Sequence, residues 1–284
     1  MHKLVLINEH GLINLRSRPR LVAYCKEIWR KRHFINAYAR ANALKAGQNT
    51  YLGKVWIFLN PLLQVAIYGV VFGLILEVSK GMSNFIGFLL IGVIFFGMLG
   101  KGLTQGNGLI QGSKSLIGAF TFPRACLVFS TAIKQLIDDV APALVAIVGA
   151  LAFQMDKTPT WHLVLIIPIF VLLHIFTCGI TFFTSRMTAF IPDLRGVIST
   201  FQRGLFFFSG VFYDIDRFAD VPVLREVMLA NPFYQYLDSL RTIVLDGQSP
   251  SISTLCYITA WSLATFVLGF IFFWSAEERY ANVK

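Results

Sequence analysis

Charge is what this sequence has least of. Lys, Arg, Asp and Glu make up 14% of its 284 residues, against about a quarter in soluble domains. Hydrophobic residues reach 56% and the mean hydropathy is +0.64, which excludes an ordinary water-soluble domain. Cysteine is scarce too. Cys25, Cys126, Cys178 and Cys256 stand far apart with no CxxC pair, so neither a disulfide framework nor a metal site is expected. The five histidines form no ligand-spaced pair. Gly53-Lys54 is followed by Val55 and Gly100-Lys101 by Gly102, so the phosphate loop GxxxxGK[ST] is missing, as are a dinucleotide fingerprint and a GxSxG elbow. No catalytic, cofactor or metal residues are assigned. "LVLI" at 4–7 is too short for the apolar core of a cleaved signal peptide.

What is present is apolar sequence in long runs. About 20 such residues of helix cross a hydrocarbon core of about 30 Å. Six runs qualify, at about 55–76, 82–100, 125–153, 163–185, 197–213 and 253–276. The expected fold is an all-α integral membrane protein, with a 1–54 basic segment, a 55–276 transmembrane domain and a 277–284 tail. Asn60-Pro61 falls inside the first run, and the second is rich in glycine, which predicts close packing against another helix.

The net charge of +10 is concentrated at one end. Residues 1–54 carry eleven Lys/Arg against Glu9 and Glu27, nearly the whole surplus, ahead of the first span. Nucleic-acid binding is therefore the weaker reading, and a cytoplasmic N-terminus held by the positive-inside rule the stronger one. With six spans the C-terminus is cytoplasmic as well, and 19 basic residues then lie inside against five outside. Within the basic segment, "LVAYCKEIWRKRH" at 21–33 has the spacing of an amphipathic helix lying in the interface, Trp29 at headgroup level.

Polar groups inside the runs are few. Asp138-Asp139 are adjacent, and neighbours on a helix diverge by about 100°, so the expected arrangement is Asp138 paired with Lys134 one turn earlier. His174 reads as a packed or hydrogen-bonded residue. Two polar segments between runs look like docking elements. In 109–120, Leu109, Ile110, Leu116, Ile117 and Phe120 fall near one side of a short helix. In 191–200, Asp193 is placed to cap a turn before Val197.

In order along the chain, "YLGKVWIFLNPLLQVAIYGVVFGLIL", "NGLIQGSKSLIGAFTFPR", "IPDLRGVIST", "FFFSGVFYD" and "NPFYQYLDSLRTIVLDG" resemble the permease subunit of ABC-2 type transporters, in the branch exporting lipid-linked polysaccharides such as O-antigen, teichoic acid, capsule and galactan. The resemblance covers most of the chain from about residue 22. It implies a homodimer of six-span subunits in the bacterial cytoplasmic membrane, joined by two ATPase subunits that hold ATP and Mg. It implies no cofactor in this chain and no nucleic-acid partner. It carries Leu109, Ile110, Leu116, Ile117 and Phe120 over as the first ATPase contact, and Asp193 and Arg195 as the second. Trp29, Arg30, Lys31, Arg32 and Lys54 would meet the substrate's diphosphate headgroup. Residues 222–240 would form an external re-entrant pair before the last span. The first twenty residues depart from the family pattern. Rivals are an ABC-2 permease for a drug or another lipid, an ion-coupled transporter using Lys134, Asp138, Asp139, His174 and Arg203, and a membrane transferase. Internal repeats and a convergent polar site, which the last two need, are not visible.

The stretch "FFFSGVFYDIDRF" at 206–218 puts aromatic surface where an apolar run meets charge. Sugars stack C–H faces on aromatic rings, so Phe207, Phe208, Phe212, Tyr213, Phe218, Phe233, Tyr234 and Tyr236 are expected to line a glycan exit. The competing reading is the aromatic belt of membrane proteins.

Overall fold

The computed structural model describes residues 20–44, 53–77, 84–154, 158–215 and 221–283. Among these the secondary structure is helical throughout. Helix α1 (Leu21–Arg30) continues after a turn at Lys31 into α2 (Arg32–Leu44). In α1 Tyr24 is buried and Ile28 half-buried one turn on, while Leu21, Val22, Cys25 and Trp29 are exposed. Helix α2, unforeseen as a separate element, buries Ile35 and Ala39 in the same i,i+4 relation and packs on α7.

Helix α3 (Trp56–Tyr68) carries Pro61 near its start and passes directly into a π-helical turn, Gly69–Ile75. Helix α4 (Phe85–Thr104) is the centre of the molecule. Fifteen of its twenty residues are buried, as expected of a helix that is apolar all round, and α3, α7, α8, α9 and α11 all pack on it. Its glycines allow this. A Cβ at Gly102 would lie 2.9 Å from Thr177 Cα, so any side chain would push α8 away. Helices α5 (Leu109–Gly112) and α6 (Lys114–Ala119) are short. Helix α7 (Ala125–Ala152) contains Pro142, and α8 (Ile166–Phe190) is led in by a 3₁₀ turn at Trp161–Leu165.

Helix α9 (Leu194–Phe208) stops five residues before the end of the 197–213 run. Gly210 takes a left-handed φ of +63°, and the chain turns inward so that Val211 and Phe212 enter the core. Fifteen residues of helix reach about 22 Å, short of a hydrocarbon core. Helices α10 (Pro222–Leu229) and α11 (Pro232–Val244) form a pair, each opened by a proline whose missing N–H costs nothing at a helix start. Helix α12 (Ile252–Trp274), capped by Ser251 accepting from Thr254 N at 3.1 Å, ends in a 3₁₀ turn at Glu277–Asn282. Among the described residues four helical segments are long and apolar enough to cross a membrane: Phe85–Thr104, Ala125–Ala152, Trp161–Phe190 and Ile252–Trp274. Leu59–Ile75 is shorter.

Among the described residues two large apolar clusters divide the bundle lengthwise, with a small third one at Ile215, Met228 and Tyr234. One gathers α3, α4, α7, α8 and α11 around Leu89, Phe95, Phe176, Phe212 and Tyr236. The other gathers α1, α2, α5, the starts of α7, and the ends of α8 and α12 around Tyr24, Ile110, Phe182, Phe273 and Tyr280.

Candidate functional site

The second cluster holds the segments read as partner contacts. The 109–120 stretch is two short helices, not one, and its apolar side faces inward. Ile110 is fully buried, and Leu109, Leu116 and Ile117 pack against the same cluster. Of the set expected at the first ATPase contact, Ile110 is therefore a core residue of this chain. Phe120, 65% exposed, is the outward member of that set, beside exposed Lys114 and Ser115. Gln111 anchors the segment by donating to the carbonyls of Thr188 (2.9 Å) and Ala189 (3.1 Å).

The second contact adjoins the first. Gly108 takes a left-handed φ of +73°, which side chains rarely adopt, and the Arg195 guanidinium lies over it, 3.0 Å from where a Cβ would stand. Asp193 is exposed and does not cap: its side chain makes no hydrogen bond to the start of α9, where backbone turns from Ile191 and Pro192 serve instead.

The segment leaves through Phe122-Pro123-Arg124 into a buried polar junction. Glu277, 3% exposed, accepts from the Tyr24 hydroxyl at 2.7 Å and from the Arg124 backbone N–H at 2.8 Å. Burial pushes its carboxyl above the usual carboxylate range, against the lowering effect of those bonds and of the Arg124 charge. Burial and the Glu277 charge likewise hold the Tyr24 phenol well above its usual value. On the far side of α1, Trp29 is 70% exposed, and Arg30, Lys31 and Arg32 are exposed with it. The Arg32 guanidinium sits 5.5 Å over the Trp29 ring and donates to the Trp29 carbonyl at 3.3 Å, a cation–π arrangement. Lys54 is described in its backbone alone, within a 3₁₀ turn at Gly53–Val55.

Between the two clusters lies a charged group. Lys134 pairs with Asp138 at 2.5 Å, as the i,i+4 spacing predicts. Asp139, with no exposed surface, instead pairs with Lys101 at the end of α4 and faces His174 Nε2 at 3.4 Å. His174 Nδ1 lies 2.8 Å from the Phe170 carbonyl, a bond in which the ring nitrogen donates. A cavity of about 330 Å³ between α3, α4 and α7, lined by Asn60, Gln64, Lys101 and Asp138 among others, opens beside this group.

The aromatic stretch separates into two populations. Phe212 is fully buried, stacked on Phe72 with centroids 4.0 Å apart and edge-on to Tyr68 and Phe206. Phe233 and Tyr236 are buried as well, and the Tyr236 hydroxyl meets Ser262 at 2.5 Å. Tyr234 is buried with its hydroxyl 3.3 Å from Asp238. Phe212, Phe233 and Tyr236 are thus core residues of this chain, a correction to the eight-ring exit surface. Phe207 and Phe208 are exposed, and Tyr213 is half-buried, donating to the Phe207 carbonyl. Phe218 lies outside the described residues. The turn at 209–213 is clamped by buried Arg241, which donates to Gly210 O at 2.8 Å, Val211 O at 3.1 Å and Phe88 O at 3.3 Å.

The ABC-2 type transporter family matches residues 34–245, from within α2 to just past α11. The chain belongs to the ABC-2 type transporter family. Among curated proteins this family member is similar to the O-antigen export system permease protein RfbA of Myxococcus xanthus, 24% identical over 92% of this chain and 99% of that protein. It is also similar to the permease of the same name from Klebsiella pneumoniae, 23% identical over 83% and 89%. The polysialic acid transport protein KpsM of Escherichia coli is 24% identical over 80% and 87%.

Sequence reasoning missed the junction at Glu277 and the pairing of Asp139 with Lys101. A buried aspartate in an apolar helix demands a partner, and Lys101, closing α4, was the unassigned base at a span end. Glu277 gave a weaker signal, since an acid just past the last span reads as solvated.

Proposed function

We propose that this chain is the membrane-spanning permease half of an ATP-driven exporter of a polyprenyl-diphosphate-linked polysaccharide. Likeness to O-antigen export permeases across 99% of one relative's length carries the reading. In it, two copies assemble with two ATPase subunits in the bacterial cytoplasmic membrane. Each copy has six membrane-crossing segments, with α3 and α9 as the short ones, α10 and α11 re-entering from outside, and both termini cytoplasmic. Arg30, Lys31 and Arg32, exposed where α1 turns into α2, with Lys54, meet the diphosphate headgroup electrostatically. Phe120 and the 193–196 turn meet the ATPase. Exposed Phe207 and Phe208, with Tyr213, supply the aromatic surface for the departing glycan, and the hollow of about 400 Å³ lined by Phe201, Gly204, Phe208 and Val227 adjoins them.

The test is affinity purification of the tagged chain from its own membranes, with deletion of its gene. The expected result is a co-purifying ATPase and loss of a surface polysaccharide that plasmid-borne wild type restores. Retention of the polysaccharide in the deletion strain overturns the substrate class; absence of any ATPase from the purified protein overturns the ATP-driven reading.

A further inference from the structure

Three segments distant in sequence meet at Glu277. Its Oε2 accepts from Tyr24 of α1, and its Oε1 accepts from the backbone N–H of Arg124, with the Arg124 guanidinium at 3.4 Å. Tyr24 Oη in turn accepts from the backbone N–H of Ala125 at 3.2 Å. The opening N–H groups of a helix have no partner within it. Here those of α7 are closed from outside, one by α1 and one by the C-terminal turn. The turn itself is fixed by Tyr280, which stacks on Phe273 at 4.6 Å and donates to its carbonyl at 3.0 Å.

An apolar contact would hold these segments together at lower cost. A buried carboxylate stabilises a fold only when its oxygens are matched, and an apolar replacement is often as stable. Phe122, Ile35, Phe273 and Tyr280 already supply apolar contact around it. What the carboxylate adds is direction: two oxygens fix the angle between α1 and the end of the 109–124 segment. Tyr24 and Glu277 also lie outside the 34–245 family match, whereas Arg124 lies within it.

We propose that Glu277 is a positioning residue that joins the 109–124 segment to α1, so that a displacement imposed on the segment by a partner moves the basic helix with it. This rests on the reading of those two segments as ATPase contact and headgroup contact.

The experiment uses the full chain in lipid nanodiscs in a Cys256→Ser background. Nitroxides are placed on native Cys25, exposed on α1, and on the cysteine of Lys114→Cys; Cys126 and Cys178 are buried. The expected distance distribution is narrow, broad in Tyr24→Phe and Glu277→Ala, and narrow again in Glu277→Gln, whose amide still bridges Arg124 N and Tyr24 Oη. In the complemented deletion strain, Tyr24→Phe, which removes the bond to Glu277 and the one from Ala125 N–H, is expected to lower polysaccharide export by at least about tenfold, with undiminished co-purifying ATPase. A narrow distribution in both Tyr24→Phe and Glu277→Ala overturns the link, as does normal export from a variant whose distribution is broad. The distance measurement needs no partner, so it decides the link even where wild type carries no ATPase, a result that counts against the export reading alone.

Discussion

Replacing Asp139 by Asn tests the charge arrangement inside the bundle. Asp139 has no exposed surface, whereas the Lys101 side chain remains 38% exposed toward the cavity. Breaking a buried pair by removing one partner costs about 3–5 kcal/mol when the remaining charge is trapped. Lys101 is not trapped, since it can turn into the cavity beside α3, so the expected loss is under about 3 kcal/mol. His174 adds little to the loss because its ring remains bonded to the Phe170 carbonyl. Lys101→Met should cost at least as much, because it leaves the fully buried Asp139 carboxylate facing His174 alone. The double variant Lys101→Met/Asp139→Asn removes both charges and should recover most of the stability. The assay is unfolding of the purified chain in mixed micelles, read as a double-mutant cycle with a coupling energy of about 2 kcal/mol or more. Simple additivity of the two single variants would refute the pairing.

At the partner contact, Phe120→Asp should leave the unfolding midpoint unchanged and reduce recovery of the ATPase, because its ring is exposed. Ile110→Asp, at a fully buried position, should instead prevent stable folding, so equal behaviour of the two would refute the inward-facing assignment. Phe212→Ala should cost about 3–5 kcal/mol as a core truncation, while Phe207→Ala and Phe208→Ala should cost under about 1 kcal/mol and lower export of long chains; unfolding midpoints and surface glycan measurements separate them. For pH, the Glu277 carboxyl is raised by burial, so the stability linked to it is complete below the ordinary glutamate value of about 4.3 and is lost as pH rises through the raised value. Wild type should therefore gain on Glu277→Gln as pH falls from neutrality toward that value, and a pH-independent difference between them would contradict the shift.

Much of the architecture was legible because a bilayer leaves few solutions. Runs of apolar residues of spanning length have to be helices, and the segments at 85–104, 125–152, 161–190 and 252–274 fall within a few residues of the runs read from the sequence. The 197–213 run shows the limit. Hydropathy could not distinguish a span continuing through Phe212 from a helix stopped at Phe208 with Phe212 folded back, because both place the ring in an apolar setting. The stop depends on Gly210, whose left-handed φ is one of many conformations glycine permits. It depends too on Arg241, thirty residues on, whose guanidinium reaches the Gly210 and Val211 carbonyls.

The same physics limits what the 109–120 pattern says. Leu109, Ile110, Leu116 and Ile117 are apolar at helical spacing, and a periodic face says that something covers it, not what. In a membrane protein the covering surface can be lipid, another chain or the chain's own bundle. Here it is the bundle: Ile110 reaches the cluster of Phe182 and Phe273, and Gln111 ties the segment to the end of α8. Phe120 and Lys114 stay exposed on the other side, and the segment leads through Pro123 and Arg124 into α7. At that point the backbone N–H groups of Arg124 and Ala125 are held by Glu277 and Tyr24.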